Sequence, residues 1–321
     1  MSASFFLKLF PPPEFLLMDH AGLEISDDAI RCLSYKESLL GRSGKRRIKH
    51  FMSVDLPKGL LIGGDTVHMD MLREELLKFK EKSGISYVKV SIPEEKAYLF
   101  QTEVPALAAD SIYQNIESKL EENVPLLAKD AVFNFDLFPS NILRASVSVV
   151  PKTYIEKMLD LLHSVGLKPL AFEIVPRSLA RVLVPANENK TAMIVHIMDQ
   201  KIGVYIVSSG IVDFASTVSK DAIDSSDIPR ATVEDTIAKE ITRIYGYWVS
   251  RPDTTTIHDI LLVGNGAQSY EAGVRNAITS LALNVIVPDV WKNIFKHTDD
   301  LPPISQKDSL AYATVVGLAL T

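Results

Sequence analysis

The feature that most narrows the possible folds is a pattern that occurs twice. Apolar residues run from Phe15 to Met18, then come Leu23 and Ile25, and the chain returns from Ala29 to Ser34. A third run, Arg47 to Val54, follows the loop Gly41-Arg42-Ser43-Gly44-Lys45. Alternating or β-branched runs bounded by Gly, Ser and Asp read as strands joined by tight turns. Far downstream the plan returns, with Ala192 to Ile197, a turn at Met198 to Lys201, Gly203 to Val207, a turn at Ser208-Ser209-Gly210, and Ile211 to Thr217. Each meander leads into helix-period segments. Such an internal repeat predicts a duplicated α/β core with one lobe per copy.

The segments between the meanders complete the lobes. Met69, Leu72, Leu76 and Phe79 recur at helical spacing and predict a helix from Met69 to Ser83, followed by a strand from Tyr87 to Ile92. Residues 92–174 then read as a strand-helix-strand-strand-helix-strand block. It has strands at Ala97 to Val104, Val132 to Phe138, Ala145 to Val150 and Leu170 to Ile174, and helices at Ala109 to Asn123 and Tyr154 to Val165. A helix at Pro176 to Leu183 and the polar linker Pro185 to Lys190 precede the second meander. After a polar, acidic loop from Ser219 to Arg230, Val233, Ile237, Ile241, Ile244 and Trp248 mark a long amphipathic helix. Strands at Ile260 to Val263 and Val285 to Pro288 and an apolar helix from Ser309 to Leu320 end the chain. The division this implies is a tail at 1–14, a first lobe at 15–91 and 175–190 joined by the closing helix 308–321, an inserted α+β subdomain at 92–174, and a second lobe at 191–307.

Charge and cysteine content exclude several functions. With 34 basic and 40 acidic side chains the net charge is -6, so the chain as a whole repels a phosphate backbone, and nucleic acid is not expected as a partner. The single cysteine, Cys32, has no partner for an intramolecular disulfide and no metal-ligand spacing, which fits a cytosolic compartment. No apolar run reaches the length needed to cross a bilayer. The basic cluster Lys45, Arg46, Arg47, Lys49 and His50 reads as a solvated turn, and the apolar Phe5 to Phe10 before Pro11-Pro12-Pro13 as a tail packed on its own domain.

Several phrases of the sequence resemble the actin-like ATPases along nearly the whole chain. "GLEISDDAIR" resembles their first phosphate hairpin and "ILLVGNGA" their adenosine-side glycine turn, and the closing "LAYATVVGLAL" is similar too. The block between "VSIPEEKAYLF" and "FEIVPRSLAR", with "ENVPLLAKDAVFNFDLF" and "VSVVPKTYIEKMLDLLHSVGLKPLAFEI", resembles the inserted subdomain of the type IV pilus assembly PilM family. The resemblance implies an actin-like, ribonuclease H-like duplicated core of two lobes with a small subdomain in the first. It also implies a scaffold at the cytoplasmic face of the inner membrane. Its expected partners are the N-terminal cytoplasmic peptide of a PilN-like membrane protein and other pilus platform proteins, with membrane association through the partner. The alternatives are an active ATPase of the same fold, a membrane-associated filament protein like FtsA, and a sugar kinase.

Carried onto this chain, the family's first hairpin places its acid on Glu24, its glycine on Ser26, its small hydroxyls on Asp27 and Asp28, and its lysine on Arg31. Backbone amides at a tight turn cradle phosphates and a carboxylate holds magnesium through water. Ser26 adds a Cβ where a phosphate should approach, and Asp27 and Asp28 would repel it unless magnesium or Arg31 compensates. In the second hairpin His196 and Met198 stand where the family has an acid and a glycine, a greater loss; His196 reads as a satisfied core histidine. Gly264 and Gly266 retain room for a ligand at a helix start. Glu240 and Arg243 match the family's base-and-ribose pattern, or else form an i,i+3 ion pair. The expectation is weak binding of ATP with magnesium, without efficient hydrolysis, no catalytic residue and no protein-held metal site.

Overall fold

In the computed structural model of the protein, residues 20–37, 46–105, 109–138, 143–185, 190–220, 232–252, 254–296, 299–300 and 302–320 are described. The tail 1–14, the run Phe15 to Met18, the loop Gly41 to Lys45 and most of the loop Ser219 to Arg230 lie outside them.

The first lobe begins with β1 (His20–Ile25), β2 (Ala29–Glu37) and β3 (Arg46–Asp55), an antiparallel meander with Leu23 opposite Cys32 and Ile30 opposite Val54. A small hairpin, Leu61–Ile62 with Asp65–Thr66, leads to α1 (Met69–Ser83). Leu72, Leu76 and Phe79 form its buried stripe, and Gly84 ends it in the left-handed conformation that glycine adopts without Cβ strain. Strand β4 (Tyr87–Ile92) pairs in parallel with β1.

The inserted block contains β5 (Tyr98–Glu103), α2 (Ala109–Ser118), the four-residue α3 (Leu120–Asn123), β6 (Ala131–Leu137) and β7 (Arg144–Pro151). The single helix expected over Ala109 to Asn123 is interrupted at Lys119. The Lys119 ammonium donates to the Thr102 hydroxyl (3.0 Å) and the Glu103 carbonyl (2.8 Å), tying the chain to the end of β5. Strands β5, β7 and β6, in that order, make a separate three-stranded sheet with its own core around Ile116, Leu120 and Val147.

The remaining part of the stretch 92–174 does not join that sheet. Met158, Leu161 and Leu162 of α4 (Lys152–Ser164) belong to the first-lobe core with Phe79 and Leu23, and β8 (Lys168–Ile174) pairs in parallel with β4. The first sheet is therefore ordered β8-β4-β1-β2-β3. Helix α5 (Val175–Leu183) leads into the second lobe.

There β9 (Thr191–Ile197), β10 (Lys201–Ser208) and β11 (Ile211–Ser219) repeat the meander. Helix α6 (Val233–Ser250) opens on a capping box, in which Asp235 N donates to the Thr232 hydroxyl and Thr232 N to the Asp235 carboxylate, both at 3.1 Å. Strand β12 (Ile257–Gly264), α7 (Ala267–Ala277) and β13 (Asn284–Ile286) complete a sheet ordered β11-β10-β9-β12-β13. Both five-stranded sheets thus have one topology, an antiparallel meander whose first strand pairs in parallel with the fourth. All residues of β9 and β10 are buried, as suits the covered centre of such a sheet.

The apolar end of the chain is segmented where one helix was expected. Ser305 caps the turn Gln306–Ser309, a 3-10 turn covers Leu310–Tyr312, and α8 spans Ala313–Ala319. Helix α8 packs on the first lobe: a Cβ at Gly22 would run into the Val315 carbonyl, and one at Gly317 into the Ser178 carbonyl of α5. These two glycines permit close backbone contact of α8 with β1 and α5.

Candidate functional site

The carboxyl ends of β1, β4, β9 and β12 point into the cleft between the lobes, the usual position for ligands in α/β sheets. The β1–β2 turn is closed by Ser26 N donating to the Ala29 carbonyl (3.0 Å). Register puts Arg31 across from Glu24, and the guanidinium lies 3.8 Å from the Glu24 carboxylate and 2.5 Å from that of Asp28. Burial pushes the Glu24 carboxyl up despite Arg31. Burial acts the same way on Asp28, but Arg31, Ser26 and Asn265 outweigh it and hold Asp28 below the usual carboxylate range. Arg31 therefore pairs with Asp28 and faces Glu24 within this hairpin.

The second hairpin is closed by Met198 N donating to the Lys201 carbonyl (3.0 Å). Lys201 is buried, with its ammonium 2.6 Å from Glu95 and 4.0 Å from Asp27 of the first hairpin. Burial lowers an ammonium, but here Glu94, Glu95 and Asp27 outweigh it and raise Lys201. His196 is buried 3.8 Å from the Glu94 carboxylate, and the Tyr205 hydroxyl donates to that carboxylate. For Glu94 too, burial is outweighed, by His196 and Lys201, and the carboxyl is held below its ordinary range. His196 thus faces an acid of the other lobe.

At the β12–α7 turn Gly264 has φ +100°, and a Cβ there would collide with the Ile197 carbonyl. The missing Cβ permits the close approach of β9, and Gly264 also borders the cavity described next. Asn265 Nδ2 donates to Asp28 (3.0 Å) and Asp199 (2.9 Å), so this turn joins both hairpins. Gly266, at φ +69°, borders a cavity of about 520 Å³ that Arg31, Phe51, Gln268, Lys307 and Tyr312 also line. The structure so brings Glu24, Ser26, Asp27, Asp28, Arg31, Gly264 and Gly266 to one cleft. Glu240 and Arg243 do not line this cavity. Arg243 Nε donates to Glu240 (2.9 Å) and its NH2 to Ser216 (3.1 Å), which is the ion-pair alternative.

Glu94, Glu95, Lys201 and Asn265 were not singled out from sequence. Glu94 and Glu95 directly follow the carboxyl end of β4, and that position was the available signal. The hairpins fit a magnesium triphosphate poorly, because Lys201 and Asn265 already span them and Asp27 and Asp28 are engaged. Among the described residues no cluster of His, Cys, Asp and Glu has a metal-holding arrangement.

A second recess lies where the inserted sheet meets the first lobe. It has a volume of about 290 Å³ and an apolar floor of Ile92, Val150, Ile155, Phe172 and Ile174. Strands β6 and β8 each stand at the edge of a sheet and both border it. Arg177 bridges its rim, 2.6 Å from Asp136 of β6 and 3.9 Å from Glu173 of β8.

The duplicated sheets, the cleft between them and the insertion in the first lobe define an actin-like fold. The structure is similar to that of a PilM-PilN type IV pilus biogenesis complex, with a TM-score of 0.74 and 15% identity over 94% of this chain and 98% of the other. Matches also include an actin-like ATPase-fold protein of unknown function from Bacteroides thetaiotaomicron (TM-score 0.46, 8% identity, 84% and 91% covered). Another is the cytoplasmic domain of EpsL, an inner-membrane component of the Vibrio cholerae type II secretion system (TM-score 0.46, 11% identity, 92% and 94% covered). No family model matches the sequence. No curated protein matches it either. Among the described residues no helix is long and apolar enough to cross a membrane.

Proposed function

We propose that this protein is a scaffold of a type IV pilus inner-membrane platform, working at the cytoplasmic face. It binds the N-terminal cytoplasmic peptide of a PilN-like membrane protein in the recess beside the inserted sheet, and other platform proteins assemble around that pair. The observation that carries this reading is the pair of open strand edges, β6 and β8, flanking an apolar floor. An extended peptide laid along such an edge gains main-chain hydrogen bonds, while alternate side chains enter the recess. The similarity to a PilM-PilN complex supports it. Association with the membrane is then indirect, through the partner.

ATP with magnesium binds weakly and is not turned over efficiently, because the residues that would face the phosphates already pair with one another. Calorimetric titration with the synthetic N-terminal peptide of the same organism's PilN-like membrane protein tests the reading. Saturable one-to-one binding is expected, and its absence with folded protein refutes it. Titration with ATP and magnesium should give little heat.

A further inference from the structure

Two lobes of one chain move against each other unless their contact restrains them. Two sets of polar contacts cross from lobe to lobe here. The first lies in the cleft, where Lys201 at the start of β10 reaches Glu95 at 2.6 Å and Tyr205 of the same strand donates to Glu94. Both acids belong to the 3-10 turn Glu94–Lys96 that follows β4 of the first lobe. The Lys201 side chain is 10% exposed and that of Glu94 5%, so water competes little for these bonds.

The second set lies on β11, the edge strand of the second sheet. Ser146 Oγ of β7 donates to the Val212 carbonyl (2.6 Å), and Gln101 Nε2 of β5 donates to the Asp213 carbonyl (2.7 Å) and carboxylate. The Arg144 guanidinium stands 3.4 Å from the same carboxylate, and Ser146 and Asp213 are buried. The inserted sheet is itself fastened to the first lobe by the apolar cluster of Ile92, Val150 and Ile174, so this strap also joins lobe to lobe.

In register Lys201 lies opposite Ser219, and Val207 opposite Val212. From Lys201 to Val207, at about 3.3 Å per residue, the two attachments stand roughly 20 Å apart along the sheet. A single attachment would leave the lobes free to turn about it. Two so far apart remove that rotation.

From these separated contacts we propose that Lys201 in the cleft and the Gln101–Ser146 strap on β11 lock the two lobes into one rigid body, whose closure does not depend on a ligand. Hinge closure around a ligand is the common way of bringing two lobes together. Here side chains of both lobes supply it. The lock stands whether or not a peptide occupies the recess.

The test places one spin label on each lobe of the full chain, through Glu81→Cys on α1 and Asn276→Cys on α7, both exposed positions, while buried Cys32 stays unlabelled. Double electron–electron resonance should give one narrow distance that ATP with magnesium does not shift. Lys201→Ala, and separately Gln101→Ala with Ser146→Ala, should each lose that single distance. Propylammonium, a soluble copy of the missing side-chain end, should restore it in Lys201→Ala and not in the other variant. Gln101 and Ser146 belong to no apolar cluster, so their double variant keeps its cores and decides the matter alone if Lys201→Ala fails to fold. A divided distribution in the unaltered protein, a shift with ATP, a narrow distance that survives Gln101→Ala with Ser146→Ala, or propylammonium acting alike on both folded variants would each overturn the lock.

Discussion

The cleft between the lobes and the recess beside the inserted sheet are both concave, yet they treat polar groups in opposite ways. In the cleft, Lys201 reaches Glu95 and Asp27, Asn265 reaches Asp28 and Asp199, and Arg31 pairs with Asp28 within its own hairpin, so the polar groups are held by one another. In the recess the side chains are largely apolar, and two sheet edges, β6 and β8, border it. A surface that satisfies itself closes, whereas a sheet edge beside an apolar floor is a template for another chain. The difference teaches that one fold can fill one concave surface with its own polar contacts and leave another beside unpaired strand edges.

The harshest challenge to that comparison is Lys201→Met. It leaves Glu95, Glu94 and Asp27 without their buried cation, and removing one partner of such a cluster costs about 3–5 kcal/mol. Urea unfolding measures it; a loss below about 1 kcal/mol would mean that the cleft is not held by its charges. In the recess, Ser148→Trp fills the floor between the two edges. It should weaken the partner peptide by tenfold or more, about 1.4 kcal/mol, with the urea midpoint unchanged. A normal affinity would separate the peptide from this recess.

Acid sharpens the comparison further. Glu94 titrates below its ordinary 4.5 in the folded state, so its contribution is complete above that value and is lost as pH falls through the folded one. Glu24 and Asp27 are raised by burial, so the folded state takes up their protons more readily and their effect has the opposite sign, favouring folding as pH falls. Urea midpoints across roughly pH 3 to 6 should therefore fall less steeply in Glu94→Gln and more steeply in Glu24→Gln than in the unaltered protein. Equal slopes in both would show that these shifts do not govern acid stability. The smallest effect is expected from Arg243→Ala. Its guanidinium is 57% exposed, so losing the Glu240 pair should cost a few tenths of a kcal/mol by urea unfolding. A cost above about 1 kcal/mol would give that pair a role beyond a surface contact.

Much of the fold could be read in advance because it rests on local periodicity. Tyr87–Ile92 and Met69–Ser83 have the expected bounds, and both meanders are where alternation put them. What periodicity could not supply was membership. The helix Lys152–Ser164 and strand Lys168–Ile174 read like continuations of the insertion, and only core packing, for the helix, and strand pairing, for the strand, place them with the first lobe. The cleft followed the same rule. Position in the hairpins identified Glu24, Asp28 and Arg31, but Lys201 is an ordinary turn lysine in sequence and becomes a bridge only when Glu95 and Asp27 arrive from other elements. Likewise His196 was expected to sit satisfied in a core; it is buried, but its Nδ1 makes no hydrogen bond, and the carboxylate it faces at 3.8 Å, Glu94, comes from a segment about a hundred residues away.

The close backbone contacts of Gly22 and Gly317 with α8 and α5 bear on how the chain matures. Among the described residues the earliest strand, β1, is covered by the helix Ala313–Ala319, far away in sequence. The second sheet, confined to residues 191–286, has all its strands while that helix is still being synthesised. Because Leu310, Ala313 and Val316 share one hydrophobic cluster with Val195, Leu262 and Val285, both lobes would carry uncovered apolar surface until this segment is made. A translation arrest placed before Ala313 should leave both lobes more sensitive to protease than the finished chain.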